Sequence, residues 1–153
     1  GGQVHAGLLA ALLAEPYFAL PPPKSTGRDL FHPAWLQARL DAWPGLDPRD
    51  VQATLAELTA RGCADAVRQY GRDVAEVIVC GGGAFNAHLM RRLGALLAPV
   101  AVVASAERGI PPQQVEAAAF AWLACQCVEE RKLALTSTTG ARGARVLGAV
   151  YPA

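Results

Sequence analysis

Three consecutive glycines, Gly81-Gly82-Gly83, follow the apolar, β-branched run Val77-Ile78-Val79-Cys80 and lead into Ala84-Phe85-Asn86. Glycine permits backbone angles closed to other residues and lets a ligand lie directly against the main chain. The stretch that opens at Asn86 carries Leu89, Leu93, Leu96 and Leu97 at helical spacing, and the amides and dipole at a helix start favour an anionic group. Strand, glycine turn and helix form the layout of one edge of a nucleotide site. They form equally well a tight corner with no ligand, and this stretch alone does not separate the two.

Other residue types with chemical potential are easier to sort. Lys24-Ser25-Thr26-Gly27-Arg28 is the densest polar cluster. Lys24-Ser25 matches the end of a P-loop, but prolines stand where its glycines belong, so the P-loop reading fails. Counting G-x-G-x-x-G from Gly81 places Asn86 at the final glycine or alanine, which argues against a dinucleotide fingerprint. His5, His32 and His88 are scattered and suggest no catalytic set with a serine or cysteine; each reads as a surface or helix residue. Cys63 and Cys80 are isolated, and Cys125 and Cys127 point to different faces of one expected helix, so no C-x-x-C metal spacing occurs. Free thiols in a reducing cytoplasm are the expectation.

The elements that must position these residues follow from periodicity. A helix is expected over residues 3–14, closed by Glu15-Pro16. A loop stiffened by Pro21-Pro22-Pro23 runs from Tyr17 to Asp29, and a short helix follows near Pro33–Asp41. Asp47 as cap, Pro48 at the first helical position and Asp50 in the first turn mark the next helix. Its apolar face (Val51, Leu55, Leu58, Ala66, Val67, Tyr70) runs to about residue 70. Strands are expected at Ala75–Cys80 and Val100–Ala104, separated by a helix from Asn86 to about Ala98. Pro111-Pro112 opens a helix to about Arg131 that is apolar nearly all round and so expected to be buried. A loop over Leu135–Arg145 and a last strand at Val146–Tyr151 complete an α/β class with few strands for its helices.

At 153 residues the chain is long enough for one domain with a core, and 52% apolar with 18% charged residues argues against disorder. A net charge of +1 with no basic run gives no electrostatic case for nucleic acid or an anionic membrane. No apolar stretch reaches the length of a membrane span, and no secretory signal is visible. The chain starts without methionine and in mid-pattern, with Val4, Leu8, Leu9, Leu12 and Leu13 already at helical spacing. That predicts a piece of a longer protein.

An ordered set of motifs carries a resemblance. It comprises Pro16-Tyr17-Phe18, Pro22-Pro23-Lys24-Ser25-Thr26-Gly27-Arg28-Asp29, Gln52-Ala53-Thr54-Leu55 with Leu58-Thr59-Ala60, and Cys80–Asn86. Pro111-Pro112, Val115-Glu116-Ala117, Ala119–Ala124, Thr139-Gly140-Ala141 and Leu147–Pro152 follow in order. Together they resemble the C-terminal half of the anhydro-N-acetylmuramic acid kinase family, over nearly the whole chain.

The resemblance implies a ribonuclease H-like C-terminal lobe of the sugar kinase, actin and heat-shock chaperone type, helix-rich and with a truncated sheet, whose N-terminal lobe is absent. It implies a cytoplasmic enzyme of cell-wall recycling, a homodimer at full length. Using ATP and Mg2+, such an enzyme phosphorylates the 6-position of 1,6-anhydro-N-acetylmuramic acid while water opens the anhydro bridge. Gly81, Gly82, Gly83, Ala84 and Asn86 match the adenosine-binding motif, and Glu116 matches a glutamate near the sugar. On residue type alone, Glu116 is a helix-start carboxylate favoured by the dipole. Lys24, Ser25, Thr26 and Arg28 are further candidates for substrate oxygens, with a structural strap at a lobe boundary as the alternative.

Two departures limit the resemblance. The phosphate-binding segment and the general-base aspartate of the family lie upstream of residues like these, so this chain is expected to be inactive alone. Lys132–Ser137 replaces a Pro-Gly-Asn-Leu-Pro type of segment, which leaves that loop's role open. A non-catalytic ATP-binding or interaction module would contain the same residues and is the competing class.

Overall fold

The computed structural model describes residues 1–151; Pro152, the end of the last motif, lies outside the described residues. Helix α1 spans Ala6–Leu13, shorter than the expected 3–14, because His5 caps it: its Nδ1 accepts the Leu8 N–H at 3.0 Å. Pro16 does not simply end this helix. It occupies the first turn of a short α2, Pro16–Ala19, inside the stretch expected to be loop. His32 caps α3, Pro33–Leu40, by accepting the Trp35 N–H at 3.1 Å. Two of the three histidines are thus helix caps.

Helix α4 runs Pro48–Tyr70 as its start signals predict, with Asp47 accepting the Arg49 N–H at 2.8 Å. It presents two faces. Leu58, with Val51 and Leu55, meets α1 and α3 around Leu8, Leu12 and Trp35. Glu57, Ala60, Ala64 and Arg68 lie on a second face that meets α5, Ala87–Leu97. Two four-residue strands, β1 at Glu76–Val79 and β2 at Ala101–Ala104, pair in parallel with Val77 opposite Val102. α5 is the crossover between them and packs on β2. The observed class is α/β, helix-rich, with a two-stranded parallel sheet among the described residues.

Two expectations fail. Helix α6, Val115–Val128, is not buried: Phe120 is 63% exposed, Trp122 50% and Val128 72%. Its apolar pattern has no element over most of it among the described residues. Val146–Tyr151 forms no strand; an isolated antiparallel bridge joins Leu133 and Arg145 just before it. Residues Leu147–Val150 instead flank a cavity of about 410 Å³ beside Phe120, Leu123 and Cys127 of α6. A strand forms only where a sheet edge offers partners, and this segment lies against a helix. A last short helix, α7 at Thr136–Thr139, stands inside the expected loop.

Candidate functional site

The glycine turn leaves the C-terminal end of β1. Gly81 has φ 70° and ψ −166°, a region essentially reserved for glycine. A 3₁₀ turn over Gly82–Phe85 follows, and Asn86 then caps α5. A Cβ added at Gly81 or Gly82 would meet no other atom within 4 Å, so the main chain there borders open space. At Gly83 a Cβ would come 3.4 Å from Leu89 Cδ2, so this third glycine packs against the first turns of α5.

The start of α5 corrects one expectation. Asn86 Oδ1 accepts the N–H groups of both His88 and Leu89, each at 3.1 Å. Those amides are therefore satisfied by the cap and are not directed at an anion. The turn suits a flat or uncharged group laid against glycine backbone better than a phosphate on the helix end.

The second candidate, Glu116, lies close by through the backbone. The Gly81 N–H donates to Pro112 O at 2.9 Å. Pro112–Gln114 forms a 3₁₀ turn that leads directly into α6, with Glu116 in the first helical turn. Glu116 is exposed and makes no ion pair among the described residues. Glycine turn and glutamate thus occupy one end of the sheet, the carboxyl end of β1, where open α/β sheets take ligands.

The polar strap is held elsewhere. Lys24 Nζ donates to the carbonyls of Tyr17 at 3.0 Å and Phe18 at 2.9 Å and lies 4.9 Å from the Tyr17 ring centre. It closes the end of α2, adding a donor at Phe18 O and a second one at Tyr17 O, which also accepts the Leu20 N–H at 3.3 Å. A Cβ on Gly140 would touch Pro23 Cγ at 3.4 Å, so the strap also meets the end of α7. Tyr70 Oη reaches Leu20 O at 3.5 Å, at the end of α4 that leads into the start of β1. Gly81 leaves the opposite end of that strand. Ser25 and Arg28 are exposed and Thr26 is half-buried.

One pair was not singled out from sequence. Glu57 on α4 accepts from Arg92 on α5, Nε at 2.7 Å and Nη2 at 2.9 Å, and from Arg61 Nε at 3.1 Å. The two guanidinium groups, Arg92 first, hold its carboxyl below the usual carboxylate range. The available signal was a carboxylate in helical register with Ala60 and Ala64; its partner 35 residues away leaves no local trace. No group of three or more potential metal ligands occurs among the described residues, and no described helix is long and apolar enough to cross a membrane.

Residues 1–153 match the family model described as anhydro-N-acetylmuramic acid kinase. A protein of that name from Variovorax paradoxus is 61% identical over 99% of the chain, which covers 40% of that relative. One from Albidiferax ferrireducens is 59% identical over 99% of the chain and 39% of the relative. One from Cupriavidus pinatubonensis is 56% identical over 99% and 41%. The chain spans about two fifths of the length of these curated relatives.

Proposed function

The chain belongs to the anhydro-N-acetylmuramic acid kinase family, and from that premise we propose that it is the nucleotide-side part of a kinase for 1,6-anhydro-N-acetylmuramic acid. The enzyme transfers the terminal phosphoryl group of ATP to the 6-oxygen as water opens the anhydro ring. The product, N-acetylmuramic acid 6-phosphate, belongs to cell-wall recycling. The lobe is ribonuclease H-like. The full-length enzyme is a cytoplasmic homodimer.

One observation carries the reading: the Gly81 N–H bond to Pro112 O, which sets an unobstructed glycine turn beside the helix that bears Glu116. ATP supplies the phosphoryl group. Gly81 and Gly82 receive the adenosine side against main chain, because no side chain intrudes there. Ala84 and Asn86 shape the turn, with Asn86 fixing where α5 begins. Glu116 offers its carboxylate to hydroxyl groups of the sugar. Lys24 acts as a strap that ties residues 17–24 together. Ser25, Thr26 and Arg28 belong with Lys24 to the strap at the end of β1 opposite Glu116, so a lobe-boundary strap is the role proposed for them rather than a contact with the sugar.

Phosphoryl transfer depends on positioning and charge stabilisation. This chain contributes one wall of that arrangement, and no step through Mg2+ is assigned to its residues. The base, the phosphate loop and the metal ligands come from the rest of the enzyme, which also covers Phe120, Trp122 and Ile78. The 153-residue chain is therefore inactive alone, and a fusion to the preceding portion of a curated relative is active. A coupled ADP-release assay with the anhydro-sugar checks both. Turnover by the isolated chain contradicts the division of labour, and an inactive but folded fusion contradicts the kinase reading.

A further inference from the structure

The face of α4 that meets α5 is built for close approach. Glu57, Ala60, Ala64 and Arg68 recur at helical spacing, and both alanines are fully buried. Small residues at a helix crossing let the backbones come near each other. A glutamate in such a seam is costly unless fully partnered, and Glu57 is partnered. Its residue is 4% exposed and both carboxylate oxygens are engaged, Oε2 by Arg92 Nε and Oε1 by Arg92 Nη2 and Arg61 Nε.

The geometry of the Arg92 contact is two-pronged. A planar guanidinium matched to a planar carboxylate fixes roll as well as distance, which a single apolar contact does not. One turn beyond Arg92 on α5, the carbonyl of Leu96 accepts from Arg68, about three turns beyond Glu57 on α4. Helix α5 is thus fastened to α4 at two levels. Arg92 lies six residues from Asn86, about 9 Å along the helix at 1.5 Å per residue. The 3₁₀ turn is linked to the start of α5 by the Asn86 cap and by Gly83 against Leu89. A roll or tilt of α5 therefore moves the turn.

We propose that Glu57 and Arg92 form a positioning clamp that sets the placement of the Gly81–Asn86 turn through the seating of α5. As far as it concerns nucleotide binding, this rests on the kinase reading above. Both act through α5, as positioning residues. The competing account is that Leu93 and Leu97, both buried on α5, seat the helix unaided and that the ion pair contributes only stability.

The two accounts separate because buried ion pairs replaced by apolar residues of similar size often keep or gain stability. The test is the double variant Glu57→Met with Arg92→Met in the 153-residue chain, read by hydrogen exchange at the amides of residues 82–89. The control is Leu12→Ala, which perturbs the α1 core far from the turn. The clamp predicts roughly tenfold faster exchange at those amides in the double variant, after global unfolding is subtracted, and no such local change in Leu12→Ala. Unchanged exchange overturns the proposal. If the double variant does not fold, Arg92→Lys keeps the charge but loses the fork. It is then expected to raise exchange about threefold at the same amides, and no rise overturns the proposal. In the active fusion, the clamp together with the kinase reading predicts a roughly tenfold higher KM for ATP with an unchanged KM for sugar. Faster exchange with an unchanged KM for ATP leaves the clamp standing and sinks the assignment of the turn to the nucleotide.

Discussion

Residues 6–70 and residues 76–151 are built by different rules. The first region closes a core around Leu8, Leu12, Trp35 and Leu58 within its own helices. Phe31 and Trp35 meet edge to face at 4.9 Å, and Glu15 accepts from Trp35 Nε1 at 2.8 Å and from Arg39 Nη2 at 2.6 Å. Polar groups entering that core thus arrive with partners. The second region holds the glycine turn and Glu116, yet leaves Ile78, Phe85, Phe120, Trp122 and Val128 exposed. The helical block supplies stability, while the region with the candidate site is an open wall. Substitutions in the two regions should therefore separate stability from binding.

The largest stability effect belongs to the closed region. Leu12→Ala removes a side chain with no exposure and is expected to cost about 3 kcal/mol in chemical denaturation. It should leave exchange at the glycine turn unaltered; equal loss in both regions would erase the contrast.

At the seam, Glu57→Ala leaves Arg92 without its partner and is expected to cost about 2–3 kcal/mol, moderated because both arginines reach solvent. The pH dependence has a definite sign. The native pKa of Glu57 is lowered, so its contribution is fully present above the unfolded value of about 4.3. It is lost as pH falls through the lower native value. Urea titrations of wild type and Glu57→Gln should converge as the pH is lowered through that window. A gap that widens on acidification contradicts the pairing.

In the open wall, Gly81→Ala is expected to cost about 2 kcal/mol because its backbone angles suit glycine alone. Gly82→Ala should cost under about 1 kcal/mol, since its backbone angles are not of that kind and its Cβ meets nothing in the protein. A large loss at Gly82 would mean that the space beside it is structural.

The smallest expected stability change comes from Phe120→Ser with Trp122→Ser, within about 0.5 kcal/mol, because these side chains are largely exposed. Self-association of the isolated chain should fall in sedimentation, as expected if these residues normally face other parts of the enzyme.

How much of this was legible in the sequence follows the range of each interaction. Asp47-Pro48 and Asn86 announce helix starts because capping is local, and the strand–glycine–helix order around Gly81 held. The all-round apolar pattern of α6 predicts burial, yet burial depends on what surrounds a helix, and periodicity cannot supply that. Val146–Tyr151 had strand composition without a sheet edge to join. Lys24 reads from sequence equally as a ligand group or as a strap, because its carbonyl partners at Tyr17 and Phe18 belong to a short helix that the proline-rich stretch conceals. Glu57 and Arg92 carry no sequence signal because neither residue is unusual until folding brings them together.

The central claim is that the open glycine turn receives the nucleotide. Its most direct measurement is the KM for ATP of the active fusion carrying Gly82→Ala, compared with the unsubstituted fusion. A methyl group in that space should raise the KM for ATP at least tenfold while thermal stability and the KM for the sugar stay within error. An unchanged KM for ATP would contradict the claim and return the turn to a tight corner with no ligand.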